Sequence, residues 1–208
     1  PFQITRVRIR PIENKTVAST KISKQEFSQQ LSEYVDRLAT RGIFSGTVLV
    51  ADDQGILYQD AKGLASIRYQ AKNNLQTKFN LGSMNKMFTG ISVMQLVEQK
   101  KLKLEDKLTD HLDRELFGTG AFEQITLAQL LTHTAGLGWA NYPELGQNSL
   151  RYLADHKPYL KHIPLNNPPG SQFSYSNEGM MLLGMVIEQV SGLAYDDYVQ
   201  QYIFNVAG

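Results

Sequence analysis

Apolar positions recur along this chain with two different periods, and the switches between them mark out its elements. Near the start, Val7 and Ile9 alternate with Arg6, Arg8 and Arg10, the two-residue repeat of a strand with one basic face. Pro11 and the polar stretch from Glu13 to Lys21 then read as a linker. Ser23-Lys-Gln-Glu26 has the spacing of a capping box and opens a helix with Phe27, Leu31, Tyr34, Val35 and Leu38 on one side, closed by Gly42. Phe44 to Ala51 reads as a buried strand, Asp52 to Gly55 as a turn, and Ile56 to Asp60 as the returning strand of a hairpin. A polar loop leads on to Phe79.

A helix is then predicted from Ser83 to about Gln99. Met87, Phe88, Ile91, Met94, Leu96 and Val97 make it apolar nearly all round, as expected of a helix central to its domain. Gly90 inside it costs about 1 kcal/mol relative to Ala, so a closely packed neighbour is expected there. Thr126-Leu-Ala-Gln129 is a second capping box, starting a short helix that His133-Thr-Ala-Gly136 ends. Residues 137–172 are loop-rich, with a short helix expected near 148–155 and a turn at Pro168-Pro-Gly170. Beyond Asn177 a second apolar helix carries Met180, Met181, Leu183, Met185, Ile187 and Val190, with Ser191-Gly192 as its stop. A last helix runs from about Tyr195 to Phe204.

Composition narrows the partners. A net charge of +1 gives no electrostatic reason for a nucleic-acid partner, and the arginines of the arm read as a solvated strand face. The chain has no cysteine, which excludes disulfides and thiolate metal sites. His111, His156 and His162 lack ligand-like spacing, and the methionines at helical spacing read as core, so neither metal nor cofactor is expected. No apolar run approaches the roughly 18 residues of a membrane span. No signal peptide is visible and the chain begins at Pro1, so a processed or trimmed product is expected.

The candidate chemistry sits at Ser83-Met84-Asn85-Lys86. It is the one place in the chain where Lys follows Ser at three residues. One turn of helix puts positions i and i+3 on the same face, so the Ser83 hydroxyl and the Lys86 ammonium are expected side by side. That is the arrangement an acylating serine needs. Two further stretches accompany it: Tyr175-Ser-Asn177 just before a helix, and Leu130-Leu-Thr-His-Thr-Ala-Gly-Leu137 between the two. His133 reads as a histidine bracing a turn, and Tyr175 with Asn177 as a tyrosine and a helix-capping Asn. Trp139, Tyr142 and Tyr152 are candidates for the wall of a cleft.

Together with the Leu81-Gly82-Ser83 and Pro169-Gly170 contexts, these stretches make the chain from about Phe44 onward resemble the serine hydrolases of the class C β-lactamase and penicillin-binding-protein-like family, which includes D-alanyl-D-alanine carboxypeptidases and esterases. The resemblance implies an α/β (α+β) fold: a helical subdomain plus the N-terminal strands of an antiparallel sheet. It implies Ser83 as the nucleophile of an acyl-enzyme, Lys86 and Tyr175 as a coupled proton-transfer pair, and Asn177 as a ligand of the substrate and of Lys86. The substrate would be an ester, a D-alanyl peptide or a β-lactam, peptidoglycan-like pieces included, in an extracytoplasmic bacterial setting. The alternative is an acyl-binding sensor, or a degenerate penicillin-binding module, that is acylated but does not turn over.

An unperturbed Lys or Tyr has a pKa of about 10, so burial is needed to lower the lysine, and a neighbouring cation to lower the tyrosine, before either can work near neutrality. The Ser83 backbone N–H is one expected oxyanion donor. The family's third motif, a Lys- or His-x-Gly triplet on a C-terminal strand, has no match after Asn177. Residues 1–22 are thus expected to be a strand-like arm and linker, the tail of a preceding domain, and residues 23–208 the N-terminal portion of a β-lactamase-like domain. The missing C-terminal segment would complete the sheet, and residues 1–208 alone would have little activity.

Overall fold

A computed structural model describes residues 21–114, 120–142, 150–161 and 163–207. The arm expected over residues 1–12 and His162 lie outside these. The chain divides into two compact units, residues 1–80 and 81–208.

In the first unit, helix α1 (Lys24–Thr40) starts where the Ser23 hydroxyl accepts the Glu26 N–H at 3.1 Å. Only this half of the capping box forms. The Glu26 carboxylate turns forward and accepts from the Gln30 amide at 3.3 Å, the pairing one turn along that competes with the cap. Strands β1 (Gly46–Asp52) and β2 (Gly55–Lys62) form the expected antiparallel hairpin, paired from Gly46 opposite Lys62 to Asp52 opposite Gly55 with a one-residue register shift between Val50 and Ala51. Ser28 on α1 donates to the Leu57 carbonyl at 2.7 Å, tying the helix to the hairpin. The polar loop expected next contains a second, very small antiparallel pair, β3 (Leu64–Ser66) and β4 (Ala71–Lys72). Two- and three-residue strands leave no period to read.

The second unit is helical. A 3₁₀ turn at Gly82–Asn85 feeds α2 (Lys86–Glu98); α3 (Leu108–His111), a 3₁₀ turn at Gly120–Gln124, α4 (Leu127–Leu131), α5 (Leu153–Leu160) and α6 (Asn177–Ser191) follow. The chain then passes through α7 (Tyr195–Val199) and a π turn at Gln200–Phe204 into α8 (Asn205–Ala207). Helix α6 is the hub, packed by α2, α3, α4, α5 and α7. Its Leu182, Leu183, Val186 and Ile187 are fully buried, in one core with Val93 and Leu96 of α2, Leu127 and Leu130 of α4, and Leu160 of α5. Methionine is core only in part: Met185 is buried, whereas Met84, Met87 and Met94 are exposed.

Three expectations are corrected here. The buried positions of α2 are Thr89, Ser92, Val93 and Leu96, so its inward face is partly polar and small. Met87, Ile91 and Met94 stay exposed. No closely packed neighbour explains Gly90, because a Cβ there would meet nothing within 4 Å. The helix expected near 148–155 is set later, at Leu153–Leu160. Asp155 fixes that start by accepting from the Arg151 and Tyr152 N–H groups, each at 2.9 Å. The Thr126 capping box forms in full, with Thr126 N–H to Gln129 Oε1 at 3.0 Å and Gln129 N–H to Thr126 Oγ1 at 3.2 Å.

Candidate active site

Ser83 lies in the 3₁₀ turn that precedes α2, not in α2 itself. This tightens the predicted pairing. A 3₁₀ turn has three residues per turn, so side chains at i and i+3 eclipse instead of being offset. Lys86 Nζ sits 3.4 Å from Ser83 Oγ. Gly82 enters the turn with φ +55°, a left-handed conformation that glycine adopts without steric penalty.

The third group arrives from far along the chain. Tyr175 Oη lies 2.8 Å from Ser83 Oγ, and Lys86 Nζ stands 5.0 Å from the centre of the Tyr175 ring. One hydroxyl therefore touches both a phenol and an ammonium. The Lys86 ammonium, by hydrogen bonding first, and then the Ser83 hydroxyl hold the Tyr175 phenol below the usual tyrosine range; partial desolvation opposes them. A lowered phenol is easier to ionise, as a proton acceptor at this position requires.

His133 fixes Tyr175 in place. Its carbonyl accepts the Ser174 N–H at 2.7 Å and its Nδ1 accepts the Ser176 N–H at 3.3 Å, so the tyrosine is held from both neighbours. Its ring meets the Tyr175 ring at 4.7 Å and the Phe173 ring at 5.8 Å. An Nδ1 that accepts requires the neutral ring protonated on Nε2. Burial, and then the charge of Lys86, push the imidazole pKa down and keep it neutral. His133 itself adopts φ +56°, a conformation His visits more readily than most residues. The expected turn-bracing role thus has a definite target, the tyrosine.

The loops around this brace are close-packed. Gly136, at φ +78°, leaves no room for a side chain: a Cβ would lie 2.1 Å from the Asn167 carbonyl oxygen. Gly170 N–H donates to Thr134 O at 2.8 Å, joining the Pro168–Gly170 turn to the same segment.

Asn177 is the first residue of α6, and the cap before it is Ser176, whose Oγ accepts the Gly179 N–H at 3.0 Å. The capping role considered for Asn177 therefore belongs to its neighbour. Asn177 is left to line a cleft of about 300 Å³ together with Lys86, but no hydrogen bond joins the two. Glu178 is buried and accepts from the Ala140 N–H at 3.1 Å and the Ser176 hydroxyl at 3.3 Å. It pins the segment after Trp139 to the start of α6, where the helix dipole favours an acid.

Other walls of the cleft come from Thr89, Leu153, Met180, Met181, Gly184 and Tyr195, with Gly82 and Asn85 at its edge. The aromatic residues expected to wall it do not line it: Trp139 and Tyr152 are exposed, and Tyr142 packs on Tyr159 and His156. The α6 methionines read in the sequence as core, and only the folded arrangement turns Met180 and Met181, with Leu153, to a cavity. His111 pairs with Asp106 at 3.0 Å. Among the described residues no group of three or more His, Asp or Glu is arranged to hold a metal.

Comparison with known proteins gives one consistent result. The protein-family profile described as Beta-lactamase matches residues 27–208. Penicillin-binding protein 4* of Bacillus subtilis is 31% identical over 191 residues, covering 89% of this chain and 41% of that protein. The crystal structure of a penicillin binding protein from Bacillus halodurans superposes with a TM-score of 0.74 at 32% identity, covering 84% of this chain and 54% of that one. EstCE1, described as a hydrolase with promiscuous acyltransferase activity, superposes with a TM-score of 0.71 at 25% identity, covering 87% of this chain and 52% of that one. The chain thus spans less than half of that curated relative and about half of each solved structure.

Proposed function

The chain belongs to the beta-lactamase family, and from that premise we propose that Ser83 is the nucleophile of an acyl-transfer hydrolase, with Lys86 and Tyr175 as its shared proton acceptor and Asn177 as a substrate ligand. The observation that carries this reading is the Ser83 hydroxyl held at 2.8 Å from the Tyr175 phenol and 3.4 Å from the Lys86 ammonium. Ser83 Oγ attacks the carbonyl carbon of the substrate and its proton passes to the Tyr175–Lys86 pair. The pair returns the proton to the leaving group as the carbonyl–heteroatom bond breaks, leaving an acyl ester on Ser83. Water attacks that ester by the same route in reverse order and regenerates the serine.

Tyr175 and Lys86 share one hydrogen-bonding partner, the Ser83 hydroxyl, so its proton has two adjacent groups to pass to. The oxyanion of the tetrahedral intermediate is assigned to the Ser83 backbone N–H and to a second donor. No Lys- or His-x-Gly triplet lies within residues 178–208. An oxyanion donor is typically worth about 100- to 1000-fold in rate.

The substrate class is an ester, a D-alanyl peptide or a β-lactam. The relative described as a hydrolase with acyltransferase activity supports acyl transfer, and the penicillin-binding relatives support a β-lactam as a ligand of the site. Penicillin-binding relatives also favour an extracytoplasmic bacterial setting. Intact-mass measurement with a fluorophosphonate or a labelled penicillin tests the assignment. One covalent increment, mapped to Ser83 and lost in Ser83→Ala, is expected. Labelling that persists in Ser83→Ala removes the serine from its role.

A further inference from the structure

The 300 Å³ cleft beside Lys86 has an unusual division of polarity. Its polar groups, Asn85, Lys86 and Asn177, stand at the end near the nucleophile. Deeper, between α2 and α6, the walls are Met180, Met181, Leu153 and the backbone of Gly184. The two hydroxyls found there, Thr89 Oγ1 and Tyr195 Oη, lie 2.7 Å apart and hydrogen-bond to each other, which occupies one of their two O–H donors. Gly184 belongs to α6, so its N–H and C=O are part of that helix's hydrogen-bonded run. A polar or charged group carried past Asn177 therefore meets mainly apolar wall and few partners, which is unfavourable for a group leaving water.

Space agrees with chemistry. Leu153 packs closely over position 184 of α6, where a Cβ would stand 2.8 Å from Leu153 Cδ1. The volume corresponds to about ten water-sized spaces, at the small end of the range for ligand pockets. Thioether side chains adapt to a flexible occupant better than branched ones.

We propose that this cleft is the acyl-group pocket of the enzyme and that it selects an unbranched hydrocarbon acyl chain over polar or charged acyl groups. The proposal rests on Ser83 being the nucleophile. The acyl carbon bonded to Ser83 Oγ lies next to Lys86, and the chain runs from there past Asn177 toward Met180 and Met181.

Two measurements test it. The first is kcat/KM for p-nitrophenyl esters from acetyl to decanoyl. It is expected to rise by up to about fourfold per methylene, the factor that roughly 0.8 kcal/mol per buried CH₂ gives, and to flatten once the chain fills the cleft, at or below about ten carbons. The 6-aminohexanoyl ester is expected to fall well below hexanoyl. Met180→Phe should move the optimum to shorter chains and Met180→Ala to longer ones. A shift of optimum in opposite directions is not produced by a general loss of stability.

The second measurement needs no turnover. With methyl-¹³C methionine, 1-hexanol should shift the Met180 and Met181 methyl signals saturably, leave Met84 unmoved, and do so equally in Ser83→Ala. Turnover that depends on Ser83 but is flat with chain length, or an optimum unmoved by both Met180 variants, overturns the pocket while leaving the serine reading intact. Turnover surviving Ser83→Ala overturns the serine reading and the acyl assignment with it. If no ester is turned over, the methionine signals decide, and a missing shift at Met180 and Met181 overturns the pocket.

Discussion

Replacing His133 separates the brace on Tyr175 from the chemistry it supports. In His133→Ala the buried Ser176 N–H loses its acceptor, and at 3.3 Å that bond is long, so the loss is set at the low end, about 1 kcal/mol. The ring contacts with Tyr175 and Phe173 are worth roughly another 0.5–1.5 kcal/mol. The sum is about 2 kcal/mol, which in a chain of this size lowers Tm by roughly 4–8 °C. The effect on rate is expected to be larger than the effect on stability suggests. A 1 Å displacement of a reacting group costs about 100-fold, and Tyr175 would be free to leave its 2.8 Å contact with Ser83.

His133→Asn should restore much of the Tm, since an amide oxygen can accept from Ser176 and Asn tolerates the left-handed backbone. It restores less of the rate, because the ring is gone. Acid provides a second reading of the same contact. The folded imidazole is held below its ordinary pKa of 6.5, so the unfolded chain binds more protons between the folded value and 6.5. Stability therefore falls as pH drops through that window and is fully present above it. Protonation turns Nδ1 into a donor facing the Ser176 N–H and adds a cation next to Lys86. The acylation rate of Ser83 should drop as pH falls through the folded value itself, at the lower edge of that window, and that drop should vanish in His133→Asn. Thermal melts and acylation rates from pH 4 to 8 provide the check. A His133→Ala variant within twofold of wild type in rate and within 1 °C in Tm would show that His133 does not hold Tyr175 in place.

Lys86→Met should move the Tyr175 ionisation back up toward the ordinary tyrosine value, because its largest lowering cause is removed; an ultraviolet titration that compares this variant with Lys86→Met/Tyr175→Phe isolates the signal, and an unchanged midpoint would contradict the assignment. Ser176→Ala removes the cap of α6 and should cost about 1 kcal/mol, read as a lower denaturant midpoint with an unchanged m-value. Gly136→Ala combines a left-handed backbone with a Cβ driven into the Asn167 carbonyl. It should destabilise by about 3 kcal/mol or more, and a melting curve within 2 °C of wild type would show that the loop yields more easily than argued.

Much of the helical unit was legible because its signals are local. Thr126-x-x-Gln129 and Ser191-Gly192 each set a helix end within a few residues. Ser83 and Lys86 are close in sequence, so one turn of any helix brings them together. Tyr175 was legible by resemblance alone, since no local pattern says which distant serine a tyrosine will meet. The Thr89–Tyr195 contact and the roles of Leu153 and Gly184 were not legible at all. Each is a pairing between elements, and in sequence Leu153 and Met180 look like any other core residues. The misplaced helix had a local remedy, the acid at Asp155 three residues after Tyr152, but the cap there is a tyrosine, a residue that announces no helix start. Apolar content over-stated the burial of α2, because composition does not say which side of a helix will be covered.

The contact between Ser83 and Tyr175 joins positions 92 residues apart. A loop of that length cannot close until α4 and α6 have packed, and closing it is entropically opposed until those contacts exist. The serine hydroxyl and its lysine can be neighbours in an early helical turn, but the phenol arrives only with the tertiary structure. Reactivity at Ser83 is therefore a clock for the end of folding. In a refolding experiment sampled by short pulses of an acylating probe, labelling should lag behind the recovery of helical circular dichroism and keep pace with the burial of Leu182 and Leu183.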